Sequence, residues 1–158
     1  MGRDDIVREF TVCGNRVTVH VPAHCAGEAR PDAGEGRSGE ANPALPDGLP
    51  VVYLHVHDGD GSEVLRLCRE LGCRDFVLAA ILPRCWNDDL TPWECPGLFA
   101  GDPPFAGKAA KQLRLLESEI IPRVEEGKPR KPEQRLLAGY SLAGLFATWA
   151  CFNSAAYG

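Results

Sequence analysis

What this 158-residue sequence lacks narrows the field first. No apolar run approaches the ~20 residues that cross a bilayer, so no membrane association is expected. The start, Met1-Gly2-Arg3-Asp4-Asp5, has no apolar segment of the kind found in secretory leaders. Basic charge is not in excess: 17 Lys and Arg stand against 22 Asp and Glu, a formal charge of −5. A nucleic-acid partner ordinarily demands the opposite balance, so none is expected. The seven cysteines contain no C-x-x-C pair, which removes zinc knuckles and dithiol redox motifs. Their odd number and irregular spacing suit reduced thiols and, with no leader, a cytoplasmic location. Histidine is scarce, and all four residues (His20, His24, His55 and His57) fall in the first half of the chain.

What is present reads as a globular domain. Hydrophobic residues make up 44% and charged residues 25%, close to the soluble average, and the length suits one domain. Residues 6–12 and 16–21 are β-rich around the turn Cys13-Gly14-Asn15, and Val17, Val19 and Val21 alternate with polar residues, predicting a half-buried hairpin strand. Residues 22–50 interleave proline and glycine without hydrophobic period, predicting a mobile loop inserted within the domain. Residues 51–56 predict a strand. Ser62 is positioned to cap a helix carrying Val64, Leu67, Cys68 and Leu71, with Gly72 as its stop. The run 76–82 reads as a strand covered on both faces, and 83–104 as a loop rich in Pro and Trp. Ala109, Leu113, Leu116, Ile120 and Val124 recur at helical spacing, with Pro122 expected to kink or end the last turn. A basic linker with Lys128, Arg130 and Lys131 leads to a strand at 136–140 and an apolar helix from Leu142. The order β-β-loop-β-α-β-α-β-α predicts an α/β fold, a mostly parallel sheet with flanking helices and an N-terminal β-hairpin.

One motif carries chemistry. Gly139-Tyr140-Ser141-Leu142-Ala143-Gly144 lies between a strand and an apolar helix, the setting in which a G-x-S-x-G-like pattern becomes informative. A sharp strand-to-helix turn at Ser141 needs small neighbours, which Gly139, Ala143 and Gly144 supply; Ala143 stands where the strict pattern has glycine. Such a turn aims the Ser141 hydroxyl out from the sheet edge and sets the Leu142 N–H at a helix N-terminus, where it can stabilise an oxyanion.

Together with Trp86-Asn87-Asp88-Asp89-Leu90-Thr91-Pro92-Trp93 and Glu119-Ile120-Ile121-Pro122, the stretch Ala138–Ala147 resembles the serine esterase type of α/β-hydrolase, over roughly Val51 to Phe152. The resemblance implies the N-terminal part of that fold, with Ser141 as acylated nucleophile. It implies an oxyanion hole from the Leu142 N–H and an N–H near Val56 or His57. It also implies small-molecule ester substrates and no metal or organic cofactor. Trp86, Trp93 and Phe99 are candidates to line an acyl or alcohol pocket, or else to pack as a local cap.

The sequence departs from that family after the serine. In α/β-hydrolases the acid and the histidine follow the nucleophile, yet Leu142–Gly158 contains no Asp, Glu or His. The expectation is therefore a single incomplete domain over 1–158, truncated before its triad is complete and inactive in this form, with an apolar sheet edge at 136–140 open to self-association. A non-enzymatic remnant or scaffold is the alternative. A metal site through His55 and His57, which share a strand face at i, i+2, is a lesser one. Asp58, Asp60 and Ser62 begin a calcium-loop pattern that Arg69 breaks at its last ligand position. Asp88 or Asp89 as catalytic acid would reverse the family order, and His20 and His24 have no assigned role.

Overall fold

The computed structural model describes residues 5–25, 46, 48–126, 132 and 134–157. Most of the loop expected at 22–50, and the basic residues Lys128, Arg130 and Lys131, lie outside the described residues. Cys13 and Gly14, with φ of 48° and 84°, make a two-residue turn between strands β1 (Asp5–Val12) and β2 (Asn15–Pro22). Positive φ at both turn residues matches the right-handed twist of the paired strands. The hairpin is therefore as expected, but β2 is not half-buried. Its other edge pairs with β4 (Val77–Leu82), and its second face is covered too: Thr18 and His20 are buried along with Val17, Val19 and Val21, His20 reaching the Asp60 carbonyl before the next helix.

Strand β3 (Val51–His55) runs parallel to both β4 and β7 (Arg135–Gly139), and the sheet order is β1-β2-β4-β3-β7. Two of the four pairings are antiparallel, so the sheet is mixed rather than mostly parallel. The cause is the hairpin, which docks through β2 against β4 and contributes both antiparallel pairs. The fold remains broadly α/β, with helices packed on the sheet.

Helix α1 (Ser62–Glu70) starts one residue before its expected pattern allows. Gly61 is the cap position, with φ 85°, and the Asp60 carboxylate accepts the Ser62 N–H at 2.9 Å. A Cβ on Gly61 would lie 2.7 Å from the Ala80 Cβ, so glycine lets the helix start sit directly on β4. The helix meets the body of the protein through Leu65, while Val64, Leu67 and Leu71, expected to be inside, are exposed. Its end is as expected: Gly72 takes φ 74°, and the Gly72 and Cys73 N–H groups donate to the Arg69 and Cys68 carbonyls.

The segment read as an irregular loop contains structure of its own: a short helix α2 (Trp86–Asp89) and a small antiparallel pair, β5 (Glu94–Cys95) with β6 (Phe105–Ala106). Helix α3 (Ala109–Leu115) continues through a π-helical turn, Leu116–Ile120, into α4 (Ile121–Val124). The widened turn precedes Pro122, which has no N–H to donate back along the helix. The predicted stripe Ala109, Leu113, Leu116, Ile120 and Val124 is buried. Helix α5 (Leu142–Asn153) buries Ala143, Phe146 and Ala150. Tyr53, wholly inside, donates to Glu125 at 2.8 Å, and Arg135 grips the same carboxylate with two bonds of 2.7 Å. No helix among the described residues is long and apolar enough to cross a membrane.

Candidate active site

Strand β7 ends at Gly139, and the chain reverses over Tyr140-Ser141-Leu142-Ala143 before entering α5. Ser141 has φ 55° and ψ −120°, the geometry of the first central residue of a type II′ turn, which glycine normally occupies. The Ala143 N–H closes the turn on the Tyr140 carbonyl at 3.1 Å. Holding serine there stores on the order of 1–3 kcal/mol, which the surrounding packing must offset. That packing is tight. A Cβ on Gly139 would lie 2.4 Å from the Ala143 carbonyl carbon and 2.5 Å from its Cβ and oxygen. One on Gly144 would lie 3.1 Å from the Gly139 oxygen. The small residues at 139, 143 and 144 are thus what allow strand and helix to close around the serine. Ser141 itself is exposed, and Leu142 opens the twelve-residue helix, so its N–H has no acceptor one turn back.

Two clefts flank the turn and share Trp86 as a common wall. One, of about 500 Å³, is lined by Ser141, Leu142, Trp86 and Trp93, joined by Leu98, Phe105 and Leu145. The other, of about 380 Å³, runs from His55 through His57 and the Asp58–Val64 segment to Tyr140. Phe99, expected in the pocket, does not line either; it is exposed, and its backbone N–H donates to Asp102 at 3.1 Å. Phe105 takes the aromatic place instead, because the β5–β6 pairing brings Cys95 opposite it at the cleft. A two-residue strand has no periodicity to read, so the sequence offered no signal for it.

The loop after β3 holds the other candidate donors. The Val56 N–H already donates to the Ile81 carbonyl at 2.9 Å, which leaves the His57 N–H as the candidate there. The exposed His57 ring stands edge-on to Trp86, centroids 5.1 Å apart. His55 differs entirely. It is buried, edge-on to Phe146 at 4.9 Å, with Gln112 Nε2 at 3.2 Å from its Nε2 and, among the described residues, no partner at Nδ1. Burial lowers its pKa to about 3, so it stays neutral. Asn15 accepts a second hydrogen bond from Gln112 at 2.8 Å. This buried polar chain was legible only as one polar residue, Gln112, set among the apolar positions of α3. With one ring inside and the other against Trp86, His55 and His57 do not join a metal-ligand cluster among the described residues.

The upstream carboxylates serve the loop. Asp88 pairs with Lys108 at 2.8 Å and accepts the Ala106 N–H at 3.2 Å; Lys108 above all holds its pKa below the usual range. Asp89 is buried and accepts the Cys85 N–H at 2.9 Å. Among the described residues no histidine is hydrogen-bonded to Ser141. His20 bonds the Asp60 carbonyl at 2.7 Å, and His24 meets Asp75 at 2.8 Å.

No family model matches the chain, and no curated protein matches it in sequence. Solved structures do. A siderophore hydrolase, EstA, from Aspergillus nidulans superposes with a TM-score of 0.60 at 21% identity, over 97% of this chain and 54% of that one. The siderophore hydrolase EstB of the same organism gives 0.58 at 19% identity, over 97% and 55%. The chain therefore spans just over half the length of these two enzymes. At such identity the likeness is one of fold alone, shared by this mixed α/β sheet and its flanking helices.

Proposed function

We propose that this chain carries the nucleophile half of a serine hydrolase acting on carboxylic esters, with Ser141 as the acylated residue. The observation that carries the reading is the conformation of Ser141: a non-glycine residue at φ 55°, ψ −120°, exposed at the end of a parallel strand and at the start of a long helix. A strained residue kept in this form marks a function that over-rides local stability. The Leu142 N–H and the His57 N–H are the proposed oxyanion donors. The apolar cleft past Trp93 and Phe105 would take one part of the ester, and the cleft past Trp86 toward His57 the other. Siderophore esters enter as a substrate class to test, from the names of the two structural neighbours.

In the proposed step the Ser141 oxygen attacks the ester carbonyl, and the tetrahedral oxyanion is held by the two amides. The C–O bond to the alcohol then breaks, the leaving oxygen taking up by way of water the proton that Ser141 lost, and a water molecule hydrolyses the acyl-serine to the acid and restores the hydroxyl. The serine proton needs a base, and none of the four histidines is hydrogen-bonded to Ser141 among the described residues. An oxyanion hole and binding alone retain roughly 10³–10⁴-fold acceleration over water in enzymes stripped of a triad. The rate expected of this polypeptide is accordingly slow. The second reading is a scaffold that keeps the turn without turnover.

A fluorophosphonate probe separates the two. The first reading expects covalent labelling of the folded chain that disappears in Ser141→Ala. Folded protein that stays unlabelled at saturating probe would overturn it and leave the scaffold.

A further inference from the structure

At the far end of the sheet from Ser141 three side chains with different donor atoms converge. One ligand atom each from His24, Cys25 and Asp75 lies within 4.8 Å of the other two. The sheet register brings them there. Strands β2 and β4 pair antiparallel, Val17 with Ile81 and His20 with Leu78. Carried past the strand ends, the same register sets the turn Ala23–Cys25 opposite residues 73–75. His24 Nε2 already meets Asp75 Oδ2 at 2.8 Å. Adjacent residues on a tight 3₁₀ turn supply the imidazole and the thiol, and the segment leading into β4 supplies the carboxylate.

We propose that His24, Cys25 and Asp75 form a site for a divalent transition metal of the zinc class. Nitrogen, sulfur and oxygen donors together suit a borderline ion that accepts tetrahedral geometry, and they do not suit calcium or magnesium. Around such an ion, with bonds of about 2.0–2.3 Å, neighbouring donors stand roughly 3.3–3.7 Å apart. The three atoms thus need only small side-chain rotations. On binding, the metal takes the place of the His24–Asp75 hydrogen bond, the neutral ring keeping its proton on Nδ1, and the Cys25 thiol gives its proton to solvent. Three protein donors leave a fourth position for water or an outside ligand.

The site belongs to a different part of the molecule from the proposed ester site. Asp75 precedes the N-terminal end of β4, whereas Ser141 follows the C-terminal end of β7, and both strands run parallel to β3. The length of a six-residue strand, about 20 Å, separates the two sheet edges. Metal here would fasten the end of β2 to the start of β4 and take no part in acyl transfer.

The test is a cobalt(II) titration of the full, reduced chain, followed by visible absorption. One equivalent should produce intense four-coordinate d–d bands and a thiolate-to-cobalt charge-transfer band. Zinc should then displace the cobalt and bleach both. Cys25→Ser should lose the charge-transfer band, and His24→Ala should lose the stoichiometric binding, while far-UV circular dichroism stays that of the wild type. The double variant Cys68→Ser, Cys73→Ser should leave both bands in place. Wild-type protein without these bands, bands retained in Cys25→Ser, or bands lost in the Cys68/Cys73 variant would each overturn the assignment.

Discussion

Gly139→Ala adds a single methyl group, and the structure says where it must go. The new carbon would lie 2.4 Å from the Ala143 carbonyl carbon, 2.5 Å from its oxygen and 2.5 Å from its Cβ. Two of these three atoms are backbone in the first turn of α5, so relief requires the helix to shift by about 1 Å against the strand. Gly139 does not have positive φ, so the substitution tests space alone. Overpacking a tight site costs about 1–3 kcal/mol, and with backbone on one side we expect the upper end, about 3 kcal/mol. Urea unfolding should show a lower midpoint at unchanged slope. A 1 Å displacement should also cut probe labelling of Ser141 by on the order of 10²-fold. Adding Ala143→Gly removes the Cβ contact but neither backbone contact, so the double variant should stay near Gly139→Ala. Gly144→Ala, facing only the Gly139 oxygen at 3.1 Å, should cost less than about 1 kcal/mol. The reasoning fails if Gly139→Ala unfolds within about 0.5 kcal/mol of the wild type.

Other expectations follow from the same contacts. Ser141→Gly should raise stability by about 1 kcal/mol by releasing the backbone strain, whereas Ser141→Ala should leave it unchanged; equal midpoints for the two would refute the strain. Because burial depresses the His55 pKa to about 3, the unfolded chain binds a proton that the folded chain refuses below the ordinary value of 6.5. Stability should therefore drop as pH falls from 6.5 towards 3, by up to about 1.4 kcal/mol per unit, and His55→Gln should flatten that slope; parallel profiles for the two proteins would count against it. Tyr53→Phe should cost roughly 1.5–3 kcal/mol, since it removes a buried bond to the charged Glu125, and a denaturant melt reads it directly. Among the described residues β7 pairs only with β3, and Leu136 is exposed; we propose that two copies meet along 136–140. Sedimentation should show a concentration-dependent dimer that Leu136→Lys abolishes.

The local pattern carried much of this protein. Periodic spacing located the stripe of α3 and α4, since a helix that buries one face must repeat its apolar residues every three or four positions. The short spacing of Gly139, Ser141 and Ala143 announced a strand-to-helix turn, because only small neighbours permit one. Alternation also located β2, but it could not say that another strand lies on its far side. Burial of His20 depends on the segment at Asp60, forty residues away, whose carbonyl it meets. The same blindness applies to Val64, Leu67 and Leu71, whose periodicity is helical but which stay exposed.

At the site the division is sharper. Sequence alone determined which residue is the candidate nucleophile and which neighbours must be small, because those demands act over a few bonds. Tertiary structure decided the rest. It withdrew the Val56 N–H by pairing it with Ile81, replaced Phe99 with Phe105 in the cleft, and sent His55 inside to Gln112. It set His24 and Cys25 beside Asp75 through the register of two strands far apart in the chain. Each of these depends on which distant segment lies alongside, and no spacing along the chain records that.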